Sequence, residues 1–398
     1  MRRNAALLVL ISLLSGFGGT AMTLAAGLWI LDLTGSVGLA ALTGVCVYAP
    51  TFAAPWLGAL VDRLPRRPLL ILTDVLLGPA LLTLLTIGGP GGVWLLLTVL
   101  LLRGIGYVLN DAAETAILPA ALPPKSLADV NGWRSSAQEG MKLLAPLAGA
   151  GLYAWRGPVP VVLLGAAVPL LTAAGYALLR LRPPTAEPAE KTRGLPAVRA
   201  GFAALFTSPA VRVPVLAAGA AIALSGLTSA AILDRLVHGL HLPATHLGIL
   251  SSAQGAGSIA GGLLAGRLLD RLVPAKVAAA GAAVFAAGCA AWCLPWWPGM
   301  VVGSVLAGLG LPWPLIAAVT AVQTGTSDDL LGRVGATSTT LMFGPVALTV
   351  PLGSALVAAG ARLPLLGAAL LALAVAAAAG RPRRHGDQAE RRLRTAWR

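Results

Sequence analysis

Residues 7–31, LLVLISLLSGFGGTAMTLAAGLWIL, run for twenty-five positions without a charge, and residues 363–380, LPLLGAALLALAVAAAAG, do much the same. A helix needs about 20 apolar residues to cross a bilayer core of about 30 Å. Runs of this kind recur along the whole chain and are separated by Gly, Pro and charged breaks. Twelve candidate spans result, over 6–31, 37–61, 68–88, 92–118, 131–155 and 158–180, then 212–234, 243–266, 274–294, 298–323, 333–359 and 362–380. The links DLTGS (32–36), GGPGG (88–92) and WRGP (155–158) are so short that they make neighbouring spans antiparallel. The expected fold is therefore all-α and integral to a membrane.

Composition agrees. Charged residues make up 11% of the chain and the mean hydropathy is +0.82, where a soluble protein carries about 25% charge. The 48 glycines and many alanines suit helices packed closely in lipid. The basic start before an apolar run resembles a secretory signal, but the run is long enough to cross and is read as an uncleaved first helix. Cys46, Cys289 and Cys293 fall in apolar segments with no His or carboxylate beside them, and read as packing residues rather than metal ligands.

A net charge of +14 would point to nucleic acid in a soluble chain. Here the basic residues lie between spans and report topology. With the N-terminus inside, all but four of the 29 Lys and Arg fall in inward segments or the inward parts of the spans beside them; the exceptions are Arg156, Arg235 and Arg362 on the outer side and Arg103 deeper in its span. The positive-inside rule then directs both termini to the cytoplasm. The expected organisation is an N-terminal six-helix bundle (1–180), a linker with an amphipathic surface helix (181–211), a C-terminal six-helix bundle (212–380) and a basic tail (381–398) drawn to anionic lipid.

One charged phrase is written twice. GALVDRLPRR (58–67) joins spans two and three, and GRLLDRLVPAK (266–276) joins spans eight and nine. A six-helix unit that appears twice, with its basic loop at the same place, implies two pseudo-symmetric bundles.

With these residues in view the chain resembles the major facilitator superfamily, specifically its twelve-helix drug and siderophore exporters of the enterobactin-exporter and macrolide-efflux kind. Gly58, Asp62, Arg63, Arg66 and Arg67 match the loop signature Gly-x-Leu-x-Asp-Arg-x-Gly-Arg-Arg, and Gly266, Asp270 and Arg271 form its second copy. LDLTGS, AILPAALPPKSLADVNGWRSS (116–136), LLGRVGA (330–336, with Arg333), Arg103-Gly104 and APLAGAG (145–151) are similar to further features of that group. Pro65 stands in place of the signature Gly, Ala145 in place of a Gly, and the second copy has Pro274 and Ala275 for its Arg pair. The resemblance implies two bundles that rock around a central cavity, and a cytoplasmic gate at the signature loops. Asp62 can close that gate by accepting from a helix N-terminus or pairing with an arginine. The simpler role for these arginines is topology alone.

Polar residues inside the spans are the candidates for mechanism. Arg103, Tyr107, Asn110 and Glu114 are spaced i, i+4, i+7 and i+11, which places them on one helical face. Asp111 stands one step off that stripe, Asp74 lies two turns into the third span, and Asp32 ends the first. The fifth span adds Ser135, Gln138, Glu139 and Lys142. A charge near mid-bilayer costs about 2.5–3.5 kcal/mol and so faces the bundle or a wet cavity. These groups read either as a substrate or proton path or as an ion-pair network that packs the first bundle. In the second half, Gln254, Trp313, Gln323 and Phe343 are candidates for an amphipathic substrate pocket, and His238, His241 and His246 read as loop residues.

No phosphate-binding Gly-Lys-Ser/Thr loop and no catalytic or metal grouping appears. The expectation is a non-enzymatic, cofactor-free, monomeric exporter of a small amphipathic molecule in a bacterial inner membrane, with a proton gradient as driving force and no nucleic-acid partner. An uncoupled or lipid-like facilitator and a non-transporting sensor or scaffold are the alternatives.

Overall fold

A computed structural model describes residues 2–61, 63–181, 195–326 and 328–381. Every regular element among them is helical. Within lipid, each backbone N–H and C=O must find its partner in its own segment, and a helix does this residue by residue. The first set comprises α1 (Arg2–Thr34), α2 (Val37–Tyr48), α3 (Ala54–Val61), α4 (Arg66–Leu82), α5 (Val93–Ala121), α6 (Pro124–Arg156) and α7 (Pro158–Leu178). After α8 (Leu195–Thr207) the second set follows: α9 (Pro209–Asp234), α10 (Leu247–Leu269), α11 (Pro274–Trp292), α12 (Trp297–Gly310), α13 (Pro312–Gly325), α14 (Asp328–Phe343), α15 (Val346–Val357) and α16 (Arg362–Gly380). Ten helical stretches among the described residues are long and apolar enough to cross a membrane.

Three of the prolines mark breaks between helices, whereas Pro79, Pro146, Pro169, Pro214 and Pro351 lie inside them. A tight turn over Ala49–Ala53, holding Pro50, separates α2 from α3; Pro312 opens α13, and Gly344-Pro345 parts α14 from α15. Each proline lacks an N–H and crowds the preceding turn. Ser36 starts α2 as its cap, its hydroxyl accepting from the Leu39 N–H at 3.2 Å.

The second set repeats the neighbour relations of the first. Helix α1 packs on α6 and α7 as α9 packs on α15 and α16, and α4 lies on α7 as α11 lies on α16. Between the sets, α6 packs against α10 and α2 against α15. Both ends of the described chain lie at the same end of the bundle. Asn4 of α1 donates to the carbonyls of Ala121 (2.9 Å) and Arg180 (2.7 Å), while Gly380 of α16 lies beside Ala279 near the start of α11. This terminal end also carries the 63–65 and 270–273 connections.

The two sets are fused at one end and apart at the other. At the far end, Trp29, Ile30, Val37, Leu96 and Tyr153 share a single core with Ala230 and Leu233 of α9, with Val237, Leu247 and Val357 against it. At the terminal end the cores are separate. Leu8, Ile11, Leu70, Ala113, Ile117 and Val130 bury one another within the first set, and Leu205, Val211, Val322 and Val334 within the second. Helix α8 belongs to this second core: Leu205 is fully buried, and Gly201 lies so close to Arg333 and Thr337 of α14 that no Cβ would fit. The amphipathic helix expected on the membrane surface is thus also docked on α14.

One buried cation at the far end has no carboxylate partner among the described residues. Arg235 follows α9 and donates from Nη2 to the carbonyl oxygens of Leu294 (2.8 Å) and Cys293 (3.4 Å), just past the end of α11. The negative end of that helix compensates its charge. The neighbouring Asp234 pairs instead with His238 Nδ1 at 2.7 Å.

Candidate functional site

The polar side chains of the first set converge on one pocket between α1, α4, α5, α6 and α7. Asp74, Arg103, Tyr107, Asn110, Asp111 and Glu114 all line it, joined by Gln138, Thr172 and Tyr176. The stripe spaced along α5 supplies most of one wall, as helical periodicity dictates.

Three small networks fix these groups. Asp74, buried on α4, accepts from Asn110 Nδ2 at 2.8 Å through one carboxylate oxygen and from the Thr172 hydroxyl at 2.6 Å through the other. Glu114, also buried, accepts from the Tyr176 hydroxyl and is paired with Arg134, whose Nε donates to Ser12 Oγ at 3.0 Å. Arg103 donates from Nη1 to Thr23 Oγ1 at 3.0 Å, and its other terminal nitrogen lies against Gly19, where any Cβ would collide with it. Asp111 takes part in none of these bonds and remains open to the pocket. The side-chain oxygen of Asn110 is buried without a hydrogen-bond partner among the described residues.

Other expected residues lie elsewhere. Asp32 accepts from the Tyr153 hydroxyl at 2.7 Å at the far end. Lys142 is exposed on α6, its backbone carbonyl lying against Gly255 of α10. Asp62 and the side chain of Glu139 lie outside the described residues. In the signature loop, Arg67 Nε donates to the Tyr176 carbonyl at 3.1 Å and its Nη2 to that of Ala177, so Arg67 caps the end of α7 together with Arg3, which donates to Leu178. Arg63 and Arg66 are exposed, as are Gly266, Asp270 and Arg271, while Gly58 and Arg333 are half-buried.

None of the four second-half candidates lines the first-half pocket. Trp313 donates to the Gly261 carbonyl at 2.9 Å, Phe343 packs beside the terminal-end core, the backbone of Gln254 abuts Gly308, and Gln323 is exposed.

Sequence reasoning counted Arg134 only as a topological charge and passed over Thr172 and Tyr176. One signal was available: Arg134 and Gln138 are four apart and therefore share a face of α6.

A helical membrane bundle, sealed at one end and parted at the other, with a buried polar pocket in one half, defines a membrane transporter rather than an enzyme. The sequence pattern of the Major Facilitator Superfamily matches residues 8–233 and again residues 215–397, and the chain belongs to that family. Macrolide efflux protein A of Streptococcus pyogenes is 29% identical over 154 residues, 37% of this chain and 38% of that protein. The same-named protein of Enterococcus faecalis is 29% identical over 123 residues, 30% of this chain and 38% of its own length. The matches thus span well under half of these curated relatives. Among solved structures, a bacterial homologue of the iron transporter ferroportin in an inward-facing state gives a TM-score of 0.71 at 17% identity, covering 96% of this chain and 100% of that one. An inward-facing, unoccupied bacterial homologue of the lysosomal transporter Spinster gives 0.69 at 17% identity, covering 95% of each chain. These two likenesses concern the fold alone.

Proposed function

We propose that the chain is a secondary active exporter of a small amphipathic molecule (a drug, an antibiotic or a siderophore-like compound), working by alternating access and proton antiport in a bacterial inner membrane. Twelve membrane segments arise when two more join the ten apolar stretches: α6, whose first turns are polar, and the segment 37–61 interrupted at Pro50. Residues 1–180 and 212–380 are the two rocking bundles, 181–211 the linker and 381–398 a basic tail. The basic residues direct both termini, and so the terminal end, to the cytoplasm. On this topology the structure is open inward.

The observation that carries the reading is a far-end core drawn from both halves, opposite terminal-end cores that each belong to one half. A bundle closed at one end only is one of the two states that alternating access requires. Export, rather than import, rests on the macrolide-efflux relatives. Proton coupling rests on the pocket carboxylates Asp74, Asp111 and Glu114, one of them neutralised by Arg134. The signature loops at Gly58–Arg67 and Gly266–Arg271 serve as the cytoplasmic gate, with Arg333 beside it, and Gln254, Trp313, Gln323 and Phe343 line the path on the second half.

The far end itself offers the test. A Cβ at Gly38 would lie 3.7 Å from Ser354 Cβ across the boundary between the halves, close to the ~3.8 Å that a disulfide prefers. Gly38→Cys with Ser354→Cys, in a background without Cys46, Cys289 and Cys293, is expected to cross-link spontaneously and stop ethidium efflux until a reductant is added. Reduced protein should lose efflux when a protonophore collapses the gradient. Full efflux from the cross-linked form contradicts alternating access, and protonophore-resistant efflux contradicts proton antiport.

A further inference from the structure

We propose that Asp74 and Asn110 form a proton-operated amide switch. When Asp74 takes up a proton, the Asn110 side-chain amide turns over and offers the pocket an N–H in place of its C=O. The inference rests on the proton-coupled reading above and names the group that carries the coupling.

Both oxygens of the Asp74 carboxylate are held by neutral donors, Asn110 Nδ2 and Thr172 Oγ1. No cation holds it among the described residues, since Arg134 is committed to Glu114 and Arg103 to Thr23. A carboxylate accepts only, so the amide nitrogen must face it, and the amide oxygen is then turned away. That oxygen is the buried atom without a partner. A buried acceptor left in this way is costly; Asn110 lines the pocket, so a small shift of its neighbours uncovers this oxygen to a donor that enters there.

Protonation reverses the pairing. A proton from pocket water adds to the Asp74 oxygen nearest Asn110, the carboxylate loses its charge, and the new O–H becomes a donor. A half-turn of the amide lets Asn110 Oδ1 accept that O–H, which leaves its N–H groups facing the former position of the oxygen. Thr172 permits the change, because its single hydroxyl hydrogen already has alternative acceptors in the carbonyls of Pro169 (2.9 Å) and Val168 (3.2 Å). The other titratable groups around Asp74 are Arg103, Tyr107, Asp111 and Glu114 on α5 and Tyr176 on α7; the α1 wall contributes Ser15, Gly18 and Gly19, which carry no charge. The logic is that of exchange. With the proton absent, the pocket accepts from a substrate N–H or O–H; with the proton bound, that acceptor is withdrawn and the substrate group is released.

The test is infrared difference spectroscopy on the purified full-length protein in lipid vesicles while the pH is stepped. Acidified wild type is expected to gain a protonated-carboxyl C=O band and, in step with it, a shift in a side-chain amide C=O band. The other carboxylates also protonate, so the Asp74 signal is the part of the carboxyl band that wild type shows and Asp74→Asn lacks. Asp74→Asn should lose the amide shift as well, and Asn110→Leu should keep the Asp74 signal without the amide shift. The asparagines of the chain are Asn4, Asn110 and Asn131, so isotope labelling of asparagine assigns the amide band to one of three residues even where the Asn110 variant does not fold. Carboxyl bands identical in wild type and Asp74→Asn, or an Asp74 signal in wild type with no amide shift, overturn the switch. A second arm separates this from the parent reading. In vesicles with an imposed proton gradient and ethidium as probe, wild type should accumulate dye uphill while Asp74→Asn only equilibrates it. Uphill accumulation by both refutes Asp74 as the coupling group. Infrared bands as expected in a wild type that moves no dye uphill would sink the exporter reading and leave the switch standing.

Discussion

Helix α5 and its counterpart in the second half, α12 with α13, hold equivalent places but bury different things. Helix α5 turns Arg103, Tyr107, Asn110, Asp111 and Glu114 toward a pocket. Helix α12 buries Gly299, Gly303, Ser304, Ala307, Gly308 and Gly310 against its neighbours. There the Gly308 backbone meets Gln254 of α10 so closely that a Cβ would overlap the Gln254 carbonyl. The first half adds the Arg134–Glu114 ion pair and the Asp74 and Arg103 hydrogen bonds to close backbone contacts of its own, such as Gly104 of α5 against the Cys46 carbonyl. The other is held by backbone proximity, which has a single good arrangement. On the function proposed above, the first half would carry the proton chemistry and the second would supply the stiffer wall.

The largest effect that bears on this contrast is expected at Arg134. Arg134→Leu strands Glu114 in a site where its side chain is 11% exposed, at a cost of about 3–5 kcal/mol. Thermal unfolding in detergent should drop sharply, and Arg134→Leu with Glu114→Gln should recover most of the loss. A mild single variant would show that the polar half is not held by its ion pair. Next comes the wall. Gly308→Ala should cost about 1–3 kcal/mol by overpacking, whereas Gly262→Ala on α10, where a Cβ meets nothing within 4 Å, should stay within about 0.5 kcal/mol. Equal stability of the two would remove the case for backbone proximity. The smallest effect is expected from Trp313→Phe, which deletes the bond to the Gly261 carbonyl and should cost about 0.5–1.5 kcal/mol. A larger loss there would mean that the second half also leans on polar contacts.

Much of the architecture was legible in the sequence because hydropathy acts locally. The apolar runs become helices, but the breaks at Pro50, Pro312 and Pro345 fall inside the expected spans 37–61, 298–323 and 333–359. Pro79, Pro146, Pro169, Pro214 and Pro351 lie within helices, so a proline alone did not say where a helix stops. The α5 stripe was legible for the same reason, since positions 103, 107, 110 and 114 share a face in any helix. Its partners were not. Arg134 reaches Glu114 from α6 and Tyr176 reaches it from α7, residues 20 and 62 positions away in the chain. Only the rotation of those helices about their own axes decides which polar residue meets the pocket. On α6 that rotation gives the pocket Gln138 and brings Arg134 to Glu114, while Lys142 stays exposed. Periodicity names the members of a face but not what the face meets. The closed far end was likewise beyond reach, because a repeat written twice is compatible with either end closed.

Arg235 has a consequence for how the protein is made. Its partners are the carbonyls of Cys293 and Leu294, which lie 58 and 59 residues further along the chain. At about 5–20 residues per second, the ribosome needs roughly 3–12 s to reach them. Until then these two acceptors do not exist, and the outer end of α9 lacks the contact that the end of α11 supplies. The last contact of the seventh span is therefore completed by the ninth, when about half of the second bundle has been made, and a ribosome stalled between the two leaves Arg235 without its two carbonyl partners.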